Sequence, residues 1–218
     1  MKKLSNIAVL FMILFAKLVP FNWIVGSLQS TFSLTTIFAP VIATHFGFGW
    51  ISLFFLSKSL VIPNLIWDPV IYQQALLIFF FSLLHRTPLL FAARAYQKCH
   101  WTTSLAVPVL CMLLFVTHEV GSVAWCYSLY WLIPMILFFV KNSVVTRALS
   151  ACFVAHAVGS VIWLYTTNIA AEIWIGLIPI VFCERLLMAG GMLALDFAIT
   201  RVRAAQVEKV LFKKLGFA

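Results

Sequence analysis

The sequence predicts an all-α, polytopic integral membrane helical bundle, and three observations predict it. The 218-residue chain is 64% hydrophobic and only 10% charged, against about 25% charged in ordinary soluble domains. Its mean hydropathy is +1.07. Its apolar residues fall in long runs, not in the roughly ten-residue alternating segments of a barrel, and backbone in lipid must satisfy its own hydrogen bonds. A bilayer makes so much apolar surface a natural exterior, whereas a soluble fold of this length cannot bury it.

Taken in order, the runs read as one integral membrane domain, residues 1–218, with about 6–8 membrane segments. Residues 4–19 follow the basic start Lys2-Lys3 and form a retained first helix, because no small-x-small cleavage site follows. Residues 32–62 are too long for one untilted span at about 1.5 Å per residue. They contain Pro40, His45 and the glycines Gly47 and Gly49, so two short helices meeting near Gly47 are expected. Further spans are expected at 70–84, extending toward 91, and at 102–117, 128–140, 148–165 and 173–199. The turns between them carry Trp67-Asp68-Pro69, Lys141-Asn142 and Asn168 to Glu172.

The formal net charge is +9, and its placement points to a membrane and away from nucleic acid. A nucleic-acid surface needs a continuous basic face on a soluble module; here the basic residues sit in short breaks. With the amino end in the cytoplasm, Lys2/Lys3, Arg86/Arg94/Lys98, Lys141/Arg147 and Arg201 onward all fall on the cytoplasmic side. Asp68 and Glu172 fall opposite, as the positive-inside rule requires. The expected location is the cytoplasmic (inner) cell membrane, with both termini cytoplasmic. Cys99, Cys111, Cys126, Cys152 and Cys183 form no CxxC and read as small buried hydrophobes.

One stretch is duplicated. Residues 117–127, Thr-His-Glu-Val-Gly-Ser-Val-Ala-Trp-Cys-Tyr, return at 155–165 as Ala-His-Ala-Val-Gly-Ser-Val-Ile-Trp-Leu-Tyr. On a helix, His118, Gly121, Ser122 and Trp125 share one face, as do His156, Gly159, Ser160 and Trp163. The span order runs both copies in the same direction, so a parallel internal repeat is expected, a form seen in membrane carriers. His118, Glu119, Ser122, Trp125, His156, Ser160 and Trp163 are the candidate ligand-binding residues, because ionisable and polar groups in hydrocarbon tend to face a cavity. The alternative is helix packing: Gly-Ser permits close approach, and His or Ser bonds across the interface.

Three function classes follow from these residues. The first is a transport or solute-binding subunit taking a small molecule from the non-cytoplasmic side. Asn22, Trp23, Gln29, Asn64, Trp67, Asp68 and His45 are candidates to line or cover such a pocket. The second is an integral membrane redox protein or enzyme with haem or a metal held by His118 and His156. The third is a structural assembly protein. HExxH is absent, since Val-Gly-Ser follows His118-Glu119, and there is no P-loop, so any use of ATP belongs to a partner. No catalytic residue or cofactor is assigned. Glu184-Arg185 read as charges paired with each other or with a partner, while Lys58, Lys17 and Asp196 read as snorkelling or solvated groups.

The stretch Ser33-Leu-Thr-Thr-Ile-Phe-Ala-Pro40, followed by the break at Gly47 and Gly49 in a small basic-ended membrane chain, resembles the substrate-capturing S-components of energy-coupling-factor transporters. The resemblance implies six helices and capture of a vitamin or metal from outside. It also implies association with a transmembrane coupling protein and ATPase subunits. It assigns no role to the repeated motif.

Overall fold

The computed structural model describes residues 34–47, 49, 83–84 and 86–214, the side chains of 209, 210 and 212–214 excepted. The expected spans at 4–19 and most of 70–84 lie outside these residues. So do Lys17, Asn22, Trp23, Gln29, Lys58, Asn64, Trp67 and Asp68. Among the described residues every regular element is helical.

Helix α1, Thr35–Phe46, ends at Gly47, whose φ of 98° lies in the left-handed region that glycine adopts without strain. The expected helix end near Gly47 is therefore present. Helix α2, Thr87–Gln97, begins with Pro88 in its first turn, where the missing N–H costs nothing. A π-helical turn, Thr102–Ala106, leads into α3, Val107–Thr117. The single turn α4, Glu119–Val123, is followed by a 3₁₀ stretch, Trp125–Trp131, and by α5, Leu132–Phe138. Helix α6, Val144–Thr166, starts at a capping box in which Ser143 and Thr146 bond each other's backbone N–H. The short α7, Ala171–Gly176, precedes α8, Ile178–Lys214.

Among the described residues two helices, α6 and α8, are long and apolar enough to cross a membrane. At about 1.5 Å per residue, the 37 residues of α8 reach about 55 Å, well beyond a hydrocarbon core of about 30 Å. The expected last span, 173–199, is thus broken near Leu177, and its second part runs on past Ile199.

Side-chain contacts fix the helix directions. Ser104 meets Ser150 at 3.5 Å, and Tyr165 Oη donates to the Leu114 carbonyl at 2.9 Å, so α3 and α6 run parallel. Pro88 lies beside Gly159, while the Arg147 guanidinium lies over the Tyr96 ring, so α2 runs against α6. Ile37 approaches Gly191, and His45 binds Asp196 at 2.6 Å, so α1 and α8 run together. Alanines face each other where α2 meets α6, Ala92 and Ala95 against Ala148 and Ala151 in one buried cluster. Their small side chains let the two backbones approach closely. One end of the bundle collects Arg94, Lys98, Lys141, Arg147, Arg201 and Arg203; Glu119 and Glu172 lie at the other. Two expectations fail here: Arg86 precedes Pro88 beside Gly159, so the antiparallel run of α2 places it toward the acidic end and away from Arg94 and Lys98, and His45, expected with the outward-side residues, binds Asp196 and Arg203 at the basic end.

The first copy of the repeat departs from expectation. Thr117 ends α3, and His118 is extended, with φ −77° and ψ 142°. The chain reverses there, so His118, Gly121, Ser122 and Trp125 do not share a face of one continuous helix. The second copy does lie wholly within α6.

The cause is local packing. A Cβ on Gly121 would collide with the Phe115 carbonyl and lie 2.8 Å from its carbon, so the turn folds back against α3 only because residue 121 has no side chain. His118 completes the turn by accepting the Val120 N–H on Nδ1 at 3.2 Å. Residues 118–127 consequently run back along the bundle, opposite to 156–165. The two copies are antiparallel, not parallel.

Candidate functional site

The buried polar centre of the molecule lies about half-way along α6, where His156 and Ser160 face one another's neighbours across one helical turn. Both are buried, as are Tyr127 and Trp131 from the 3₁₀ stretch. Trp131 Nε1 donates to His156 Nδ1 at 3.2 Å, and His156 Nε2 lies 2.7 Å from Tyr127 Oη. An indole N–H can only donate. Nδ1 is therefore the acceptor, and the neutral ring carries its proton on Nε2, which donates to Tyr127. The Tyr127 hydroxyl is left to donate toward Ser160 Oγ at 3.5 Å. This relay fixes both the tautomer and the orientation of His156 in a region where an unpaired polar group is costly.

Aromatic rings form the wall. Phe115, fully buried, stacks on Tyr127 at 5.7 Å and meets Trp131 and Trp174 edge-on at 5.3 and 5.4 Å. Tyr130 bridges to α8 by donating to the Ile178 carbonyl at 2.8 Å. Trp174 Nε1 is buried and has no hydrogen-bond acceptor among the described residues. Such an orphan donor costs about 1–3 kcal/mol, so it marks a place where an added acceptor would be welcome.

Helix α8 contributes charge to the same region. Glu184 and Arg185 are 4% and 3% exposed. Arg185 donates to Glu184 Oε2 at 3.5 Å and to Met188 Sδ at 3.3 Å. The pair lies in the second turn of α8. His156, the hydroxyls of Tyr127 and Ser160 and the Trp131 indole N–H form one hydrogen-bonded cluster amid aromatic rings. Such a set orients a small polar group while the rings hold its apolar part.

The sequence-derived candidates divide between two places. His156 and Ser160 belong to the buried centre, and Trp163 is half-buried in the adjoining aromatic cluster. His118, Glu119, Ser122 and Trp125 lie at the outer turn. Glu119 and Trp125 are exposed there, and Ser122 Oγ donates to the Glu119 carbonyl at 2.7 Å. The copies nevertheless meet reciprocally. The His118 ring packs edge-on against Tyr165 at 4.8 Å, and Tyr127 binds His156. Each copy's histidine engages the other's tyrosine.

Tyr127 and Trp131 are the site residues that sequence reasoning missed, whereas Glu184 and Arg185, read as a charge couple, do pair with each other. Tyr127 is the last identity of the repeat, and Glu184-Arg185 is a charged pair in an apolar run; both were legible signals. Trp131 had none.

The arrangement does not favour His118 and His156 as a joint ligand pair for haem or a metal. Both nitrogens of His156 are engaged, and Nδ1 of His118 accepts a backbone N–H. The two rings are held by different partners on different elements. Among the described residues, no three His, Cys, Asp or Glu side chains lie close enough to hold a metal ion.

Replacing Tyr127 with phenylalanine removes the acceptor of the His156 Nε2 proton without changing the ring. The expected loss is about 1–3 kcal/mol, the cost of an orphaned buried donor, read as a lower unfolding midpoint in detergent. Ser122→Ala, which breaks only an exposed local bond, should stay within about 0.5 kcal/mol of wild type.

No family model, curated protein or solved structure matches the chain.

Proposed function

We propose that the chain is a multi-pass subunit of the cytoplasmic membrane that captures a small solute from the non-cytoplasmic side and takes part in its transport. The observation that carries this reading is the polar centre built from His156, Tyr127 and Ser160, half-way along α6, with the buried Glu184-Arg185 pair in the second turn of α8; both helices are long and apolar enough to span a bilayer. Ionisable groups at that depth are costly and typically mark a substrate or ion pathway. The packing of α6 alone would be served by alanine and leucine.

The two ends of the bundle support the orientation. The arginine- and lysine-rich end is cytoplasmic under the positive-inside rule, and the end bearing Glu119 and Glu172 faces outward. Phe115, Trp131 and Trp174 pack as aromatic neighbours of the polar centre. Solute entry is from the outer side, and release requires a second conformation or a coupled partner. A transmembrane coupling protein and ATPase subunits, as the resemblance to energy-coupling-factor S-components implies, are the proposed partners.

The test is ligand-induced stabilisation. The purified chain in detergent is challenged with fractions of a small-molecule extract and its unfolding midpoint recorded. At least one fraction is expected to raise the midpoint, with the shift lost in Ser160→Ala and retained in Ser122→Ala. No stabilising fraction, or equal shifts in both variants, would contradict the reading.

A further inference from the structure

Helix α8 runs on past the packed bundle, and one arginine ties that extension back. Every side chain from 200 to 208 is exposed, whereas Ile199 is still buried. Asp196 and Arg203, at i and i+7, share one face of α8 and both reach His45 in the last turn of α1. Arg203 Nη2 donates to the His45 carbonyl at 2.7 Å, and its guanidinium lies 4.7 Å over the Phe46 ring. A cation suits that place, because the last carbonyls of a helix lack partners and form the negative end of its dipole. Among the described residues, the hydrogen bonds between 200–208 and other elements are all made by Arg203.

The His45 ring is held on both edges. Nε2 lies 2.6 Å from Asp196 Oδ1, and Arg203 Nη1 lies 3.3 Å from Nδ1. A guanidinium N–H only donates. Nδ1 is therefore the acceptor and bears no proton, so the ring is neutral and donates its Nε2 proton to Asp196. Among the described residues, the charged groups in contact with His45 are these two, both from α8. Helix α2 brings Tyr96 to Asp196, and α6 brings Arg147 over the Tyr96 ring at 5.9 Å. The His45 side chain is 14% exposed, so water reaches it. A second proton has one place to go, Nδ1. It would turn the acceptor into a donor and set a positive ring against the guanidinium, a repulsive like-charge contact. The Asp196 carboxylate would keep its bond on the other edge and balance the new charge. The two protonation states thus prefer different partners.

We infer that His45 is a proton-operated latch for the extension of α8: with Nδ1 bare it holds Arg203, and a proton on Nδ1 loosens Arg203 while Asp196 keeps the ring. The sign follows from the donor and acceptor roles. The latch is closed at higher pH and opens on acidification. It lies at the basic end of the bundle, about 40 residues of α6 and α8 away in sequence from the His156 centre (196 against 156), and shares no residue with it. That this end faces the cytoplasm rests on the membrane reading above; the latch does not.

The test is a distance measurement between two nitroxide labels on the full chain in detergent, where no membrane sidedness enters. Cys99, Cys126 and Cys183, the cysteines that are not buried, are replaced by serine. Val145→Cys at the start of α6 and Val207→Cys on the extension carry the labels; these positions are 50% and 68% exposed. One narrow distance is expected at about pH 8 and a broad distribution at about pH 5, the range across which imidazoles change charge. His45→Asn, whose amide oxygen can accept from Arg203 but does not titrate, is expected to abolish the pH response. Arg203→Gln, at an exposed position, is expected to give the broad distribution at both pH values. A wild-type distribution independent of pH, an unchanged pH response in His45→Asn, or a narrow distance at high pH in Arg203→Gln would overturn the inference.

Discussion

Replacing Arg185 with methionine is expected to lower stability by about 3–5 kcal/mol, the usual consequence of removing one partner of a buried ion pair. Glu184, 4% exposed, would remain in the core without the adjacent guanidinium. The double variant Glu184→Gln/Arg185→Met removes both charges and should recover most of that loss. Unfolding midpoints of the three proteins in one detergent give the comparison directly. A single variant as stable as the double would show that the two charges do not support each other. Ligand-induced stabilisation should be absent in both variants, because both lack the buried guanidinium, the group best suited to anchor an anion.

The two glycines of the repeat provide the second large effect. Gly121→Ala drives a methyl group into the Phe115 carbonyl, a backbone atom that cannot rotate away, and brings it to 3.2 Å from a Leu164 methyl. Overpacking of this kind costs about 3 kcal/mol, and the turn at His118 must open to relieve it. Gly159→Ala meets only Pro88, at 3.6 Å, an ordinary contact in the middle of a helix. There alanine should be tolerated or add up to about 1 kcal/mol of helix propensity. The same substitution at two positions identical in sequence context thus has opposite signs. Similar effects at both would contradict the different backbones of the two copies.

That difference shows where sequence reading reaches and where it stops. Helix α6 was legible because its apolar run is bounded by Lys141-Asn142 and Asn168; its first turn, from Val144 under the Ser143 cap, begins earlier than the expected 148. One end of the bundle was legible because Arg94, Lys98, Lys141, Arg147 and Arg201 cluster in the breaks, but Arg86 was misplaced because the helix that separates it from Arg94 starts only at Thr87. The turn at His118 was not. Its N-cap is a histidine, outside the usual Ser, Thr, Asp and Asn. The need for Gly121 arises only from contact with Phe115 at the end of α3 and Leu164 on α6.

Identical residues were read as equivalent positions on two parallel helices, whereas tertiary packing gave one copy a reversal and the other a helix. The real relation is a cross-pairing, His118 with Tyr165 and Tyr127 with His156. The tyrosines belong to the repeat but fall off the helical face defined by the histidines, so helical spacing alone does not pair them. The length of α8 was also missed. Arg201 and Arg203 read as the end of a span, yet a helix can continue into water when its propensity is good.

A small molecule held at the polar centre around His156 should survive gentle extraction and be visible by native mass spectrometry. A defined, stoichiometric adduct is expected on the wild-type protein, released under activation, absent from Ser160→Ala and Arg185→Met, and retained by Ser122→Ala. An adduct that persists unchanged in Ser160→Ala and Arg185→Met would contradict a ligand at this centre.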